Sequence, residues 1–422
     1  MAERTLRRVR PDDVPATRRG AVDAATLASA SAIVDDVRRG GEAALRAHAE
    51  RLGDLAPGDP LVIGRDALAA ALAALPAARR DVLSRTAARI RAFAEAQRAA
   101  LADVRVEVPG GLAGHAVVPV DRAGCYAPGG RFPLPSSVLM TVVAARAAGV
   151  PSVWVASPRP APVTLAAAAL AGADALLAAG GAHAIAALAF GAGPVPACDA
   201  VVGPGNRWVT AAKQVVSGHV RIDMLAGPSE LVVVADGGAD PALVAADLLA
   251  QAEHDPDALP VLVAIGEAVA DAVDAEVARQ LATLPTAGTA AAAVANGFAV
   301  VVRDAAGAAA VCDRIAPEHL ELALDDAAGA DVAGRVRHCG ALFSGPFGGE
   351  VLGDYGAGPS HVLPTGGTAR HTAGLSVLDF LRVRTWLDVR DREAARPLVE
   401  DAIALARMEG LEGHARAAER RR

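Results

Sequence analysis

Apolar positions along the first hundred residues follow a helical period. In the stretches 24–52 and 66–101, alanine, valine, leucine and isoleucine recur every three or four residues, with arginine and acidic residues between them. This spacing places the apolar side chains on one face of a helix. The pair Gly40-Gly41 predicts a turn between two helices, and residues 57–60 predict a longer loop.

A different pattern begins near residue 115. Short apolar runs alternate with alanine-rich stretches of helical length, and glycine, proline or aspartate bounds each run. Such alternation predicts βαβ units and mainly parallel sheets. We expect strands at 152–156, 200–202, 231–235, 261–265, 299–302 and 341–343.

The predicted fold class is α/β, with two incomplete Rossmann-like βαβ domains, a helical N-terminal region and a helical C-terminal tail. We expect one discontinuous α/β domain from residues 1–122 and 230–376, with its N-terminal part helical. Residues 123–229 would form an inserted α/β domain, and residues 377–422 the helical tail.

Composition narrows the class of protein. Of the 422 residues, 53% are hydrophobic and 21% are charged, which is enough for a large core in two or three domains. A net charge of −7 and an aromatic content of 3% argue against a nucleic-acid partner. Residues 161–197 contain only Asp174 and His183 as ionisable groups, but prolines and glycines interrupt them. A buried α/β segment is therefore expected there, and no membrane partner.

The cysteines indicate a reducing compartment. Cys125, Cys198, Cys312 and Cys339 form no CxxC pair, which is typical of small core residues. The N-terminal sequence lacks the apolar core of a signal peptide. We expect a cytoplasmic protein.

One glycine-rich turn has the features of a ligand-binding turn. No GxGxxG fingerprint occurs, but Gly203-Pro204-Gly205-Asn206 opens the helical run RWVTAAKQVV. Backbone N–H groups at such a helix start can meet an anionic or polar ligand. An ordinary tight turn between a strand and a helix is the alternative.

Two further stretches carry candidate metal ligands. Gln251 and His254 lie three residues apart at a predicted helix end, so both side chains can reach one metal ion. Asp354 and His361 lie in a glycine-rich loop, where either could ligate an ion or orient a ligand. Surface charge, and for Asp354 an Asx turn, are the alternatives.

A third stretch suggests acid–base chemistry. Pro317 would start a helical turn, followed by Glu318 and His319, an order that suits a general acid–base pair at a helix N-terminus. An exposed glutamate and a capping histidine would explain the same residues. Glu409 and His414 in the tail are by default solvated helix residues.

Taken together, these stretches resemble the histidinol dehydrogenase family. The resemblance extends over almost the whole chain and preserves the order of the motifs GCYAPGG at 124–130, PSSVLM at 135–140, GPGNRWVTAAK at 203–213, AGPSE at 226–230, QAEHDPD at 251–257, APEHLEL at 316–322 and HVLPTGGTAR at 361–370.

The resemblance implies an activity and a set of roles. The enzyme would oxidise L-histidinol through the aldehyde to L-histidine, the last steps of histidine biosynthesis, with two NAD in turn and with Zn²⁺. It would be a homodimer that shares its active sites through the tail, with residues 123–229 on the NAD side. By the same resemblance the roles are divided as follows: metal ligands and substrate contacts, Gln251, His254, Asp354 and, from the other subunit, His414; acid–base pair, Glu318 and His319; further substrate contacts, Ser229, His319 and Glu409; NAD contacts, Tyr126, Asn206 and position 183.

A few positions depart from the family pattern. His183 stands in place of a glutamine, Ser360 in place of an asparagine and Leu225 in place of a proline.

The expected ligand set contains nitrogen and oxygen but no thiolate, so it should accept Mn²⁺ as well as Zn²⁺.

Two alternatives to histidinol oxidation stay open at this point. One is a relative that oxidises another polar alcohol, such as a sulfonated diol; the carboxylate of Glu409 favours histidinol, because it would repel a sulfonate. The other is an inactive α/β protein whose metal only holds a dimer together. Retention of both Glu318 and His319 counts against it, because a structural metal site needs no acid–base pair.

Overall fold

The structure is a computed structural model of the chain. It describes residues 5–16, 20, 22–129, 133–345 and 347–422. Gly130, which ends one of the motifs above, lies outside the described residues. The α/β fold class is confirmed.

Helices and strands alternate through most of the described chain. The helices are α1 (Ala24–Arg51), α2 (Arg65–Ala74), α3 (Ala77–Ala99), α4 (Pro135–Ala147), α5 (Pro162–Ala171), α6 (Gly181–Phe190), α7 (Arg207–Val216), α8 (Pro241–Ala252), α9 (Glu267–Leu281), α10 (Ala287–Asn296), α11 (Ala305–Ile315), α12 (Asp326–Arg335), α13 (Glu350–Asp354), α14 (Arg396–Met408) and α15 (Glu412–Glu419). The strands are β1 (Arg7–Val9), β2 (Val62–Gly64), β3 (Val104–Val108), β4 (Gly111–Pro119), β5 (Arg122–Tyr126), β6 (Ser152–Ala156), β7 (Ala175–Leu177), β8 (Ala200–Val202), β9 (Arg221–Ile222), β10 (Glu230–Ala235), β11 (Leu259–Ile265), β12 (Phe298–Val302), β13 (His319–Ala323), β14 (Ala341–Ser344) and β15 (Leu381–Val389).

The first sheet has the strand order β2-β7-β6-β5-β8-β9. All its neighbouring strands are parallel except β2, which pairs antiparallel with β7. Helix α1 packs on α6 and α7, while α2 packs on α5 and α3 packs on α4. The apolar runs predicted at 152–156 and 200–202 are strands of this sheet, largely or wholly buried between the helices.

Local sequence explains how α1 begins and why it bends. The carboxylate of Asp23 accepts from the backbone N–H of Thr26 at 2.9 Å, which caps the first turn. Ala30, Val34 and Val37 then lie buried on one face. Gly41 has φ +56°, a value that favours glycine, and it breaks the helical geometry there. The turn predicted at Gly40-Gly41 is thus a kink between two helical halves.

The second sheet has the order β1-β12-β11-β10-β13-β14, and all its strands are parallel. One face is covered by apolar residues of α8, α9 and α10, and the other by those of α11 and α12. In the centre, β10 and β13 are neighbours, and Leu231 is paired with His319. These two strands therefore begin at the same edge of the sheet.

Residues 1–122 contribute strands to both large sheets. Strand β2 and helices α1 to α3 pair and pack with the sheet of residues 123–229. From residues 1–122, strand β1 joins the second sheet, and Val14 packs against it. The amphipathic helices match either sheet by pattern, and only tertiary contact decides which one they cover.

The tail also departs from the helical expectation in one part. Residues 381–389 form β15, which pairs antiparallel with β4, and β4 pairs with β3. Helices α14 and α15 follow and pack on each other through Val399, Ile403 and Ala415. Among the described residues, no helix is both long enough and apolar enough to cross a membrane.

Gly203, which follows β8, lies at a tightly packed position of the first sheet. Gly203 has φ +119°, and a Cβ there would overlap the backbone oxygen of Tyr126. We expect Gly203→Ala to lower the free energy of unfolding by more than the roughly 1–3 kcal/mol that backbone strain alone costs. Gly58→Ala is the control, because its φ is +90° but a Cβ would meet nothing within 4 Å. Urea unfolding of both variants measures the difference, and equal losses would contradict the packing argument.

Candidate active site

The predicted acid–base residues lie at the edge where β10 and β13 begin. The expectation of a helix start at Pro317 was wrong: α11 ends at Ile315, Ala316 has φ +51°, and His319 is the first residue of β13. Leu320 and Leu322 alternate into the core, which favours a strand over a helix. Successive strand residues point to opposite faces, so Glu318 and His319 approach the site from different sides.

His319 is held as a neutral base. Its Nδ1 atom lies 3.0 Å from the carbonyl oxygen of Glu230. A carbonyl can only accept, so Nδ1 carries the hydrogen and Nε2 keeps its lone pair. Within the described residues, Nε2 is buried without a hydrogen-bond partner, 3.9 Å from Oδ1 of Asp354. Burial lowers the pKa of His319 to about 4, despite the opposing effect of Asp354.

Glu318 is a buried carboxyl group beside this base. Its Oε2 accepts from the backbone N–H of Glu230 at 2.9 Å and lies 3.8 Å from Nδ1 of His319. Burial raises the pKa of Glu318 well above its usual range, and the nearby acids Glu230, Glu350 and Asp354 raise it further. The group therefore holds a proton readily, as an acid–base residue must.

His254 and Asp354 lie close together in the structure. Helix α8 ends at Ala252, and the backbone N–H of His254 donates to the carbonyl of Gln251 at 3.3 Å. Nε2 of His254 lies 3.9 Å from Oδ2 of Asp354. In a tetrahedral site with bonds of about 2.0–2.1 Å, ligand atoms lie roughly 3.3 Å apart. A small inward movement would let both residues bind one ion.

Glu350 is a residue that sequence reasoning missed. It begins α13, and one of its carboxylate oxygens lies within 4.8 Å of ligand atoms of His254 and Asp354. With its amide nitrogen toward Glu350, Gln251 donates to both carboxylate oxygens, at 2.6 and 3.1 Å. One signal was available in the sequence: Glu350 precedes Asp354 by four residues, a spacing that puts both on one helical face.

Acidic side chains are concentrated around these residues. Five of them are buried: Glu230, Asp247, Glu318, Glu321 and Glu350. Burial raises the pKa of Glu321 to about 8, and its neighbour Asp247 raises it further. Buried acids are costly unless protons or cations compensate them. The donor atoms and the surplus of acids therefore fit a divalent cation between His254 and Asp354.

His361 connects the two sheets at the site. Its Nδ1 lies 2.9 Å from the carbonyl oxygen of Asp354, so this nitrogen donates. Its Nε2 then accepts from the hydroxyl of Ser137, on α4, at 3.1 Å. Both ring nitrogens of His361 are engaged in these contacts, and its role as a metal ligand or as an orienting residue stays a prediction.

The residues expected on the NAD side lie at the carboxyl edge of the first sheet. The hydroxyl of Tyr126 accepts from the backbone N–H of Gly181 at 3.2 Å, and burial raises its pKa to about 12. Asn206 is exposed and caps α7 by accepting two backbone N–H groups, at 3.0 and 3.2 Å. His183 is only 1% exposed, and its Nε2 lies 3.0 Å from a carboxylate oxygen of Asp54.

Not every predicted residue reaches this cluster within one chain. Ser229 is half-buried directly before β10, close to the acid–base pair in sequence. Glu409 and His414 are exposed on the terminal helices. In the described part of this single chain, the convergent group of His254, Glu350 and Asp354 does not include His414.

Comparisons with known proteins give the family of this chain. The family model described as histidinol dehydrogenase matches residues 16–422. A histidinol dehydrogenase of Thermus thermophilus is 50% identical over 344 residues, covering 81% of this chain and 82% of the relative. One from Bordetella parapertussis is 44% identical over 400 residues, covering 93% and 90%. The crystal structure of histidinol dehydrogenase from Elizabethkingia anophelis superimposes with a TM-score of 0.92 at 28% identity, covering 100% of this chain and 99% of that one.

These matches define an oxidoreductase. The chain belongs to the histidinol dehydrogenase family, EC 1.1.1.23. Its activity is the oxidation of histidinol in histidine biosynthesis. Oxidation of another polar alcohol and an inactive metal-stabilised dimer are not favoured.

The buried position of His319 leads to a prediction about the protonation of its ring in the metal-free protein. Because burial lowers its pKa to about 4, the ring should stay neutral with its hydrogen on Nδ1 down to about pH 5. Nitrogen-detected NMR of the histidine rings measures this, and His319→Asn assigns the signal by its loss. Titration of that signal near pH 6.5, the value for an unperturbed histidine, would contradict the geometry.

Proposed function

We propose that the site binds Zn²⁺ through Gln251, His254 and Asp354, completed by His414 of the partner subunit, and that NAD accepts the hydride. Mn²⁺ would serve in place of Zn²⁺, because all the ligands are nitrogen or oxygen. The observation that supports this most directly is the free, buried Nε2 of His319 next to Asp354. A reacting hydroxyl between them would find a base on one side and an ion on the other.

His319 and Glu318 have different tasks in the two oxidation steps. When bound, the metal ion supplies a Lewis acid that lowers the pKa of the substrate hydroxyl. Nε2 of His319 accepts the hydroxyl proton as the hydride leaves the carbinol carbon for NAD. The resulting imidazolium keeps its Nδ1 hydrogen bond to Glu230. His319 would then release its proton to solvent. Glu318 would take a proton from the water that adds to the aldehyde, and Nε2 of His319 would accept the hydroxyl proton of the resulting hydrate as the second hydride leaves for a second NAD.

The first sheet provides the proposed cofactor side. Tyr126 and Asn206 lie at its carboxyl edge, where open α/β sheets usually bind ligands. His183 supports this edge from inside, because its ring is bound to Asp54 and buried under the start of α6. We assign direct NAD contact to Tyr126 and Asn206, and an indirect contribution to His183.

A dimer would bring the tail to the site. Helices α14 and α15 have a small common core, and His414 is exposed. The β15-β4-β3 sheet also has an apolar face with Val104, Val106, Val383 and Leu387 between 41% and 63% exposed. Exposed apolar faces of this kind mark protein interfaces. In a two-fold dimer, each tail would supply His414 to an active site. Glu409 and Ser229 would be further substrate contacts.

The first test separates the roles of Glu318 and His319. His319→Asn should slow histidinal oxidation by about 10²–10⁴-fold, and it should slow histidinal reduction by NADH, the reverse of the first oxidation step, to a similar extent. Glu318→Gln should slow histidinal oxidation comparably but leave histidinal reduction within a few-fold of wild type, because only oxidation needs an activated water. Both rates are measured at saturating substrate. Equal losses in both reactions for both variants would remove this division.

The second test asks which subunit supplies His414. His254→Ala and His414→Ala proteins, each inactive, are mixed under conditions shown to exchange subunits. If His414 serves the partner's site, a mixed dimer has one site with both lesions and one sound site. Random exchange makes half the dimers mixed, so activity should recover to ~a quarter of wild type.

The matched control is a mixture of His254→Ala with Asp354→Ala. Both lesions then lie in ligands from the same chain, every site keeps one lesion, and no activity should return. Recovery in the control, or none in the test mixture after exchange, would overturn the shared-site proposal.

A further inference from the structure

Glu350 touches the two functional residues that most need a fixed orientation. Only 4% exposed, it places both carboxylate oxygens beside the amide of Gln251, and with the amide nitrogen turned toward them the N–O distances are 2.6 and 3.1 Å. One of these oxygens also lies 3.5 Å from Nδ1 of His319. Neither the acid–base pair nor the proposed metal ligands include it.

The contact with Gln251 decides which end of the amide faces the ion. A carboxylate accepts hydrogen bonds, so it binds the nitrogen end of an amide. When Glu350 is ionised, the opposite orientation would place the amide oxygen of Gln251 against two carboxylate oxygens, with no hydrogen between them. Gln251 is fully buried and cannot turn to water instead. Glu350 therefore directs the amide oxygen, the only ligand atom that Gln251 offers, away from itself.

Glu350 is itself held in place by the acids behind it. Its backbone N–H donates to Oε2 of Glu321 at 3.2 Å. Glu321 in turn shares a hydrogen bond with the side chain of Asp247, on α8. Gln251 is on the same helix, four residues later. A chain of contacts thus leads from Asp247 on α8 through Glu321 on β13 to Glu350 on α13. Glu350 in turn contacts the amide of Gln251, which is again on α8.

We propose that Glu350 is a positioning residue that fixes the oxygen of Gln251 toward the metal ion. The proposal rests on the metal site assigned above. One oxygen of Glu350 lies within 4.8 Å of ligand atoms of His254 and Asp354. We assign Glu350 to orientation and not to ligation, because with the amide nitrogen turned toward Glu350 both of its oxygens accept from Gln251. Residues that orient a metal ligand in this way typically change metal affinity 10–100-fold when they are removed.

The test is a zinc dissociation constant, measured on the full-length metal-free protein by competition with a chromophoric chelator. Glu350→Met should weaken Zn²⁺ binding about 10–100-fold. Glu350→Gln should stay within about three-fold of wild type, because its amide oxygen still accepts from Gln251. Equal weakening by Glu350→Gln and Glu350→Met would make Glu350 a ligand and overturn the proposal.

A double-mutant cycle isolates the path through Gln251. In a Gln251→Ala background there is no amide to orient, so Glu350→Met should cause no further loss of zinc affinity. Independent, multiplying losses would overturn the proposal. Glu350→Asp, which shortens the side chain, replaces Glu350→Met in both measurements if the latter does not fold. If wild type itself binds no Zn²⁺, the proposed metal site fails as well; if it binds and Glu350→Met is unaffected, only this inference fails.

Discussion

Two adjacent parallel strands, β10 and β13, begin at the same edge of the second sheet, and a hydrogen bond links their first residues. Nδ1 of His319 donates to the carbonyl oxygen of Glu230. This bond fixes the tautomer of His319 and aims its unprotonated nitrogen into a buried space beside Asp354. The strand register that pairs His319 with Leu231 makes the contact. The base is therefore as rigid as the sheet, and its chemistry depends on strand pairing.

Several acidic side chains are buried around His319, although burying a carboxylate is energetically costly. Burial raises the pKa values of Glu318, Glu321 and Glu350, because a carboxylate loses its hydration there. A divalent cation near Asp354 would offset part of that cost. The same acids then support the site: Glu318 beside the base, and Glu350 against the amide of Gln251. Burying these acids is costly for the ion-free protein, but the same acids organise the site for an ion.

The sequence predicted the buried strands well and the exposed ones poorly. Runs such as 152–156 and 200–202 are apolar throughout because both faces of their sheet are covered, and their bounds agree with the structure. Strand β15 alternates polar and apolar residues with arginines, and its partner β4 is far away in sequence. Its strand character comes from that pairing, which no local pattern shows.

Within the site, motif residues could be predicted but their geometry could not. His254 and Asp354 lie close together, whereas His319 begins a strand where the sequence predicted the start of a helix. Pro317 gave a helix-start signal, but the pairing of β13 with β10 and β14 overrode it. Glu350 belongs to no motif, and its role arises from contact with a helix about a hundred residues earlier.

The central claim is that His319 remains a free base while other residues hold the ion. Anomalous diffraction at the zinc edge, on crystals of the zinc-loaded protein, tests it most directly. The account predicts one ion per subunit, bound by Gln251, His254, Asp354 and His414 of the partner subunit, with Nε2 of His319 unbound and its Nδ1 still on Glu230. An ion coordinated by Nε2 of His319, or no ion between His254 and Asp354, would contradict it.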